Sequence, residues 1–74
     1  MQDFFVFFKL LTKMINKRIK EIRESNNLTK EFIAIQLEIS LKKYDEIEKG
    51  KVDIKMSKLS RLSEILDVPK SEFF

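Results

Sequence analysis

One glycine, Gly50, and one proline, Pro69, are the only residues of their kinds in this chain of 74 residues. Sheets need tight turns, and tight turns usually need glycine, proline, asparagine or aspartate, so this scarcity favours helices. The chain also has no cysteine, histidine or tryptophan, which removes disulfides, thiolate zinc sites and histidine acid–base chemistry. We therefore expect an all-α binding module that is not an enzyme and uses no metal or cofactor.

The spacing of apolar residues supports a helical fold from residue 15 onward. Ile15, Ile19 and Ile22 recur at intervals of four and three residues with charged residues between them, as in an amphipathic helix. Asn27 can end this helix because asparagine tolerates a left-handed backbone. The pattern predicts a first helix that reaches about residue 25.

Three further helices follow in the pattern. Thr29 and Ser40 are good N-cap residues for helices over residues 30–37 and 41–49, and Gly50 can end the second of these. A fourth helix begins near residue 56, and Pro69 can open a last turn. The side chains predicted to face the core are Ile33, Ala34, Leu37, Tyr44, Ile47 and Phe73. The apolar residues that mark the fourth helix are Met56, Leu59, Leu62, Ile65 and Leu66.

Residues 1–14 form an apolar arm or extension that differs from the domain over residues 15–74. Every residue from 4 to 8 is Phe or Val, and no polar face balances them. Three interpretations stay open: a helical extension, a strand-like or disordered arm packed against a second subunit, and upstream sequence translated ahead of a natural start at Met14. The apolar run is far shorter than the ~20 residues that cross a membrane, so we expect no membrane segment.

The segment over residues 30–49 meets the requirements of a helix-turn-helix. The small residue Ala34 stands where the second helix must pass closest to the third. Apolar residues occupy the inner positions on both sides of the turn, and Ile39 fills the turn itself. The third helix has a polar outer face that consists of Lys42, Lys43, Asp45, Glu46 and Lys49.

These residues resemble those of the Xre/Cro-type helix-turn-helix family of phage and bacterial repressors. The matching stretches, within residues 15–74, are INKRIKEIRESNNLTKEFIAIQL, EISLKKYDEIEKGKVDI and SKLSRLSEILDVPKSEFF. The resemblance implies a compact, lambda-repressor-like bundle of four to five helices. It also implies a third helix that enters the DNA major groove, often as a dimer on a two-fold site.

The resemblance assigns a structural ion pair to Arg23 and Glu48, and chemistry agrees, because a partly buried carboxylate needs a cation. We predict base contacts by donors and acceptors near the start of the third helix, and phosphate contacts by residues that flank it. The predicted base contacts are Ser40, Lys42, Lys43 and Glu46. The predicted phosphate contacts are Thr29, Lys30, Lys49, Lys51 and Lys55.

Two departures from the family pattern bear on function. Asp45 and Glu46 are acidic where relatives often have Gln, Arg, Ser or Thr, so they either define the base specificity or weaken DNA binding. Glu38 stands where many relatives have glycine. Exposed apolar residues also suggest a dimer or partner surface, for which the candidates are Phe4, Phe5, Phe8, Phe32, Ile35 and Phe74.

The sequence thus predicts a sequence-specific regulator of transcription, repressor-like, that binds double-stranded DNA as a homodimer. It would be cytoplasmic, encoded by a bacterium or phage, and associated with the nucleoid when bound, with no small-molecule effector. The net charge of +3 is compatible with this partner but does not identify it. One alternative is a protein–protein module, antitoxin- or anti-repressor-like, on the same scaffold. Another, less favoured, is the DNA-binding part of a larger regulator.

Overall fold

The computed structural model describes residues 2–74, without the side chains of residues 2–5 and 8. Over this range the chain forms four α-helices and no strand. The helices are α1 (Gln2–Ser25), α2 (Lys30–Leu37), α3 (Leu41–Glu48) and α4 (Met56–Leu66), and a 3₁₀ turn (Lys70–Phe73) follows them. The predicted all-α fold is confirmed.

Local chemistry explains where the helices begin and end. The backbone N–H of Phe32 donates to the hydroxyl of Thr29 at 3.1 Å, and that of Lys43 donates to the hydroxyl of Ser40 at 3.0 Å. Both hydroxyls therefore satisfy donors that a helix start leaves free. At the other ends, Asn27 and Gly50 take positive φ angles of 57° and 78°.

The core is assembled from one face of each helix. α2 packs on α3 and α4, and α1 packs on α3 and on the 3₁₀ turn. The apolar side chains with almost no exposure are Ile19, Ile22, Ile33, Ala34, Leu37, Tyr44, Ile47, Leu59, Leu62, Leu66 and Phe73. Ile15 and Ile65 pack against this cluster at its edge.

Met56 belongs to the fourth helix, as its apolar pattern predicts, but its side chain is 63% exposed and does not join the core. Met56 is the first residue of α4 and lies beyond the end of the packed interior. It lines an apolar groove of about 310 Å³ together with Leu11, Ile15 and Phe74, and this groove opens to solvent. The apolar period of α4 continues one turn further than the core that covers it.

Residues 2–14 are helical and continue directly into the predicted first helix. At about 1.5 Å per residue, the 24 residues of α1 form a helix nearly as long as the 39 Å long axis of the molecule. Val6, Phe7, Leu10 and Met14 lie on it with exposed fractions between 55% and 65%. The predicted roles of Phe4, Phe5 and Phe8 fall on side chains outside the described part of the structure.

The structure also bears on the expectation that no segment crosses a membrane. Within residues 2–74, no helix combines the length with the apolar character that a membrane span requires.

Candidate nucleic-acid interface

α2, a short turn and α3 form a compact unit in which the turn fixes the angle between the helices. Glu38 takes the left-handed conformation, with φ 58° and ψ 42°. Its N–H donates to the carbonyl of Ile35, and the N–H of Ile39 donates to that of Ala34, both at 3.1 Å. A non-glycine residue costs about 1 kcal/mol in this conformation, which the surrounding packing offsets. Ala34 is buried at the contact, as its size predicts.

The inner face of α3 anchors the helix and thereby orients its outer face. Tyr44 and Ile47 have almost no exposed surface, and α2 packs directly on α3. Ser40, Lys42 and Lys43 lie exposed at the start of α3. The predicted base-reading donors therefore lie accessible to solvent at the same end of α3.

The charged groups at that end of α3 differ in their partners. Lys42 and Lys43 form no ion pair among the described side chains, and neither does the half-buried Glu46. The backbone carbonyl of Glu46 accepts a hydrogen bond from the N–H of Lys51 at 2.9 Å. The two lysine ammonium groups are thus available to an incoming ligand.

Asp45 bridges two lysines that the sequence assigned to phosphate contacts. Lys30 Nζ lies 2.6 Å from Asp45 Oδ1, and Lys49 Nζ lies 2.8 Å from Asp45 Oδ2. The hydrogen bond from Lys30, followed by that from Lys49, lowers the pKa of Asp45 to about 2. The same hydrogen bond raises the pKa of Lys30. Asp45 is therefore charged at neutral pH, and it neutralises part of the basic surface.

The remaining predicted phosphate contacts flank α3. Thr29 is exposed at the start of α2, where its hydroxyl already serves as the N-cap. Lys51 and Lys55 are exposed in the segment between α3 and α4. Lys58, also basic and nearby in sequence, instead donates to the carbonyl of Leu37 at 2.8 Å and so covers the end of α2.

Arg23 and Glu48 tie α1 to the last residue of α3. Arg23 Nε donates to Glu48 Oε2 at 2.6 Å, and Nη2 donates to Oε1 at 3.1 Å. A third bond runs from Nη1 to the carbonyl of Leu28 at 2.7 Å. The pKa of Arg23 is raised chiefly by the hydrogen bond to Glu48. The pair holds α3 in a fixed position relative to α1.

Three features of the structure do not follow from the sequence pattern. The first is the ion pair between Asp45 and Lys30, which are far apart in the chain; the ion pair between Asp45 and Lys49, by contrast, follows from helical spacing. The hydroxyl of Tyr44 is buried and has no hydrogen-bond partner among the described residues. The exposed apolar face of α1, which we call the α1 stripe (Val6, Phe7, Leu10 and Met14), extends beyond the predicted partner surface. Of the candidates proposed for that surface, Phe32, Ile35 and Phe74 are exposed.

A buried scaffold that presents the outer face of a short third helix defines the helix-turn-helix class of DNA-binding domains. Residues 16–74 match the protein family described as "Helix-turn-helix domain". The chain therefore belongs to this family, and the Xre-like resemblance of its sequence is confirmed.

A solved structure shares the fold. The restriction-modification controller protein C.AhdI from Aeromonas hydrophila superimposes with a TM-score of 0.76 at 23% sequence identity. The match covers 86% of this chain and 96% of the controller protein. No curated protein matches the sequence significantly.

Proposed function

We propose that the protein is a non-enzymatic regulator of transcription that inserts α3 into the major groove of double-stranded DNA. The observation that carries this proposal is the exposed start of α3, where Lys42 and Lys43 have no ion-pair partner in the part of the chain whose side chains the structure describes. The buried inner face of the same helix fixes the direction of these side chains. A recognition helix needs a firmly packed inner face and polar side chains on its outer face that are free to contact bases.

Base reading is assigned to the residues at the start of α3. Lys42 and Lys43 can donate to O6 and N7 of guanine, and Glu46 can accept from N4 of cytosine. Ser40 can bond to several bases or to a phosphate, although its hydroxyl is partly used by the N-cap. These contacts would give the protein a preferred sequence rather than a general affinity for DNA.

Phosphate contacts are assigned to residues on both sides of α3. Lys51 and Lys55 are exposed in the segment that follows α3. Thr29 and Lys30 lie at the start of α2, where backbone N–H groups can also meet a phosphate. Lys49 completes the set. Such contacts position the domain on the duplex without reading its sequence.

The regulator is proposed to act as a homodimer on a short two-fold site, as a repressor, in the cytoplasm and on the nucleoid of a bacterial cell. The exposed α1 stripe and Phe74 are apolar surfaces that a second copy of the chain could cover. The similarly folded Aeromonas hydrophila protein is a controller of a restriction–modification system, which supports a regulatory role for this fold. No small-molecule effector is included in the proposal.

Selection of bound sites from a random pool of duplexes tests this function. We expect an enriched motif with two-fold symmetry, and an affinity that falls steeply between about 50 mM and 200 mM salt. Each neutralised phosphate contributes about −0.9 to the slope of log affinity against log salt. Recovery of no motif, together with no binding at about 50 mM salt, would reject DNA binding.

A protein–protein module, antitoxin- or anti-repressor-like, is the second candidate. Asp45 forms ion pairs with two basic residues of the surface, and the apolar side chains of Phe32 and Ile35 are exposed one turn apart on α2. This candidate predicts that Phe32→Ser and Ile35→Ser abolish binding to a protein partner. The DNA-binding proposal predicts that the same changes leave DNA affinity within about threefold of the wild-type value.

A further inference from the structure

We propose that Asp45 is a built-in competitor of DNA phosphates, which occupies Lys30 and Lys49 in the free protein and thereby lowers affinity for DNA of any sequence. This inference rests on the proposed function, because it concerns the selectivity of the same surface. It gives Asp45 a role that differs from direct base reading.

The position of Asp45 suits this role. Lys30 is the first residue of α2 and Lys49 directly follows α3, so the two ammonium groups belong to different elements. One carboxylate reaches both, with contacts of 2.6 Å and 2.8 Å. A phosphate that approaches either lysine therefore meets a negative charge already bound there.

The exposure of these contacts allows a phosphate to replace the carboxylate. The side chains of Lys30, Asp45 and Lys49 are 36%, 27% and 58% exposed. In the Arg23–Glu48 pair the corresponding values are only 8% and 2%. Exposed pairs are weak and are screened by salt, whereas buried pairs are part of the scaffold. The Asp45 contacts can thus open on binding without disturbing the fold.

The effect falls most heavily on non-specific binding. A complex without base contacts depends on phosphate neutralisation alone, so a carboxylate that offsets one unit of positive charge and holds two lysines lowers its affinity. A complex with base contacts keeps those made by Lys42 and Lys43. Asp45 therefore raises the ratio of specific to non-specific affinity, which is the quantity that selects one site among many.

The test compares Asp45→Asn with Glu31→Gln, which removes the same charge from an exposed residue next to Lys30 but breaks no ion pair of the described structure. Fluorescence anisotropy with a duplex that lacks the selected site gives affinity as a function of salt. We expect Asp45→Asn to bind about tenfold more tightly at about 50 mM salt, with a slope steeper by about 1 to 2. Glu31→Gln should stay within about threefold of wild type. Equal changes in the two variants, or none in Asp45→Asn, would overturn the inference.

A second comparison shows whether Asp45 acts through the lysines. In a Lys49→Gln background, Asp45→Asn should produce a smaller gain than in the wild-type protein, because one of the two released cations is absent. An undiminished gain would overturn the mechanism. If the wild-type protein prefers its selected site but Asp45→Asn does not change DNA affinity, this inference alone is rejected. If neither the wild-type protein nor the Asp45→Asn variant binds any duplex, the proposed function is rejected as well.

Discussion

Arg23 of α1 and Glu48 of α3 lie 25 residues apart in sequence and form a buried, bidentate ion pair that joins the two helices. Among the described residues, Arg23 and Glu48 are the buried charged side chains, whereas the other ion pairs are partly exposed. Because α3 presents its outer face to solvent, the pair determines where that face points. The scaffold and the candidate interface therefore share one contact.

Arg23→Ala should destabilise the domain by about 3 kcal/mol or more, because it leaves the Glu48 carboxylate buried without its cation. For a domain of this size, that loss lowers the melting temperature by roughly 10 °C or more. Thermal unfolding followed by circular dichroism measures it. Arg18→Ala is the control, since Arg18 pairs with Glu72 at the surface, and it should cost less than about 1 kcal/mol. An unchanged melting curve for Arg23→Ala would contradict the role of the pair.

Tyr44→Phe should leave the stability unchanged or raise it by up to about 1 kcal/mol. The change removes a buried hydroxyl that has no hydrogen-bond partner in the described structure and keeps the ring that fills the core. Burial raises the pKa of this hydroxyl, and the nearby Glu48 raises it further, so the hydroxyl stays neutral. Urea denaturation measures the effect. Tyr44→Leu is the control and should cost more, and a loss above about 1 kcal/mol in Tyr44→Phe would show that the hydroxyl is bonded in solution.

Lys42→Ala and Lys51→Ala should affect DNA binding in different ways. Lys42 is assigned to base reading, so its removal should change the preferred sequence at one position and cost about 1–3 kcal/mol there. Lys51 is assigned to a phosphate, so its removal should weaken all sequences alike and reduce the salt slope by about 1. Site selection and salt titration with each variant measure both effects. The opposite pattern would reverse the two assignments.

Leu10→Glu should convert a dimer into a monomer, because it places a charge at the centre of the exposed α1 stripe. Sedimentation equilibrium should give twice the 8.9 kDa chain mass for the wild type and the single mass for the variant. Lys20→Glu introduces the same residue at another exposed position of α1 and should remain dimeric. A dimer that survives Leu10→Glu would place the two-fold contact elsewhere, for example at Phe74.

Asp45→Asn should remove one component of the acid dependence of stability. The pKa of Asp45 is lowered from 3.8 to about 2 in the folded protein, so its stabilising contribution is present above about pH 4 and is lost as the pH falls through about 2. The difference in unfolding midpoint between wild type and variant should be constant from pH 5 to pH 8. It should then shrink between about pH 4 and pH 2. A difference that is independent of pH over the acid range would show that the ion pairs do not form in solution.

Most of the fold could be predicted from the sequence because its determinants are local. The helix starts at Thr29 and Ser40 depend on a hydroxyl and an N–H three residues away, and the breaks at Asn27 and Gly50 depend on a single backbone conformation. The buried positions follow from the 3.6-residue period. The apolar period and the core diverge at Met56, which continues the pattern of α4 beyond the elements that would cover it.

The sequence by itself determined a helical domain with a helix-turn-helix, and it predicted which residues contact DNA. Only the tertiary structure decided which lysine side chains are available to contact a ligand. Lys30 and Asp45 meet because the turn at Glu38 sets the angle between α2 and α3, and Lys58 reaches the end of α2 because α4 packs beside it. Helical spacing describes neighbours within one helix, whereas charges on separate helices meet only when the whole core fixes their distance. The free lysines of this protein are therefore a property of its packing, while the helices themselves are a property of its sequence.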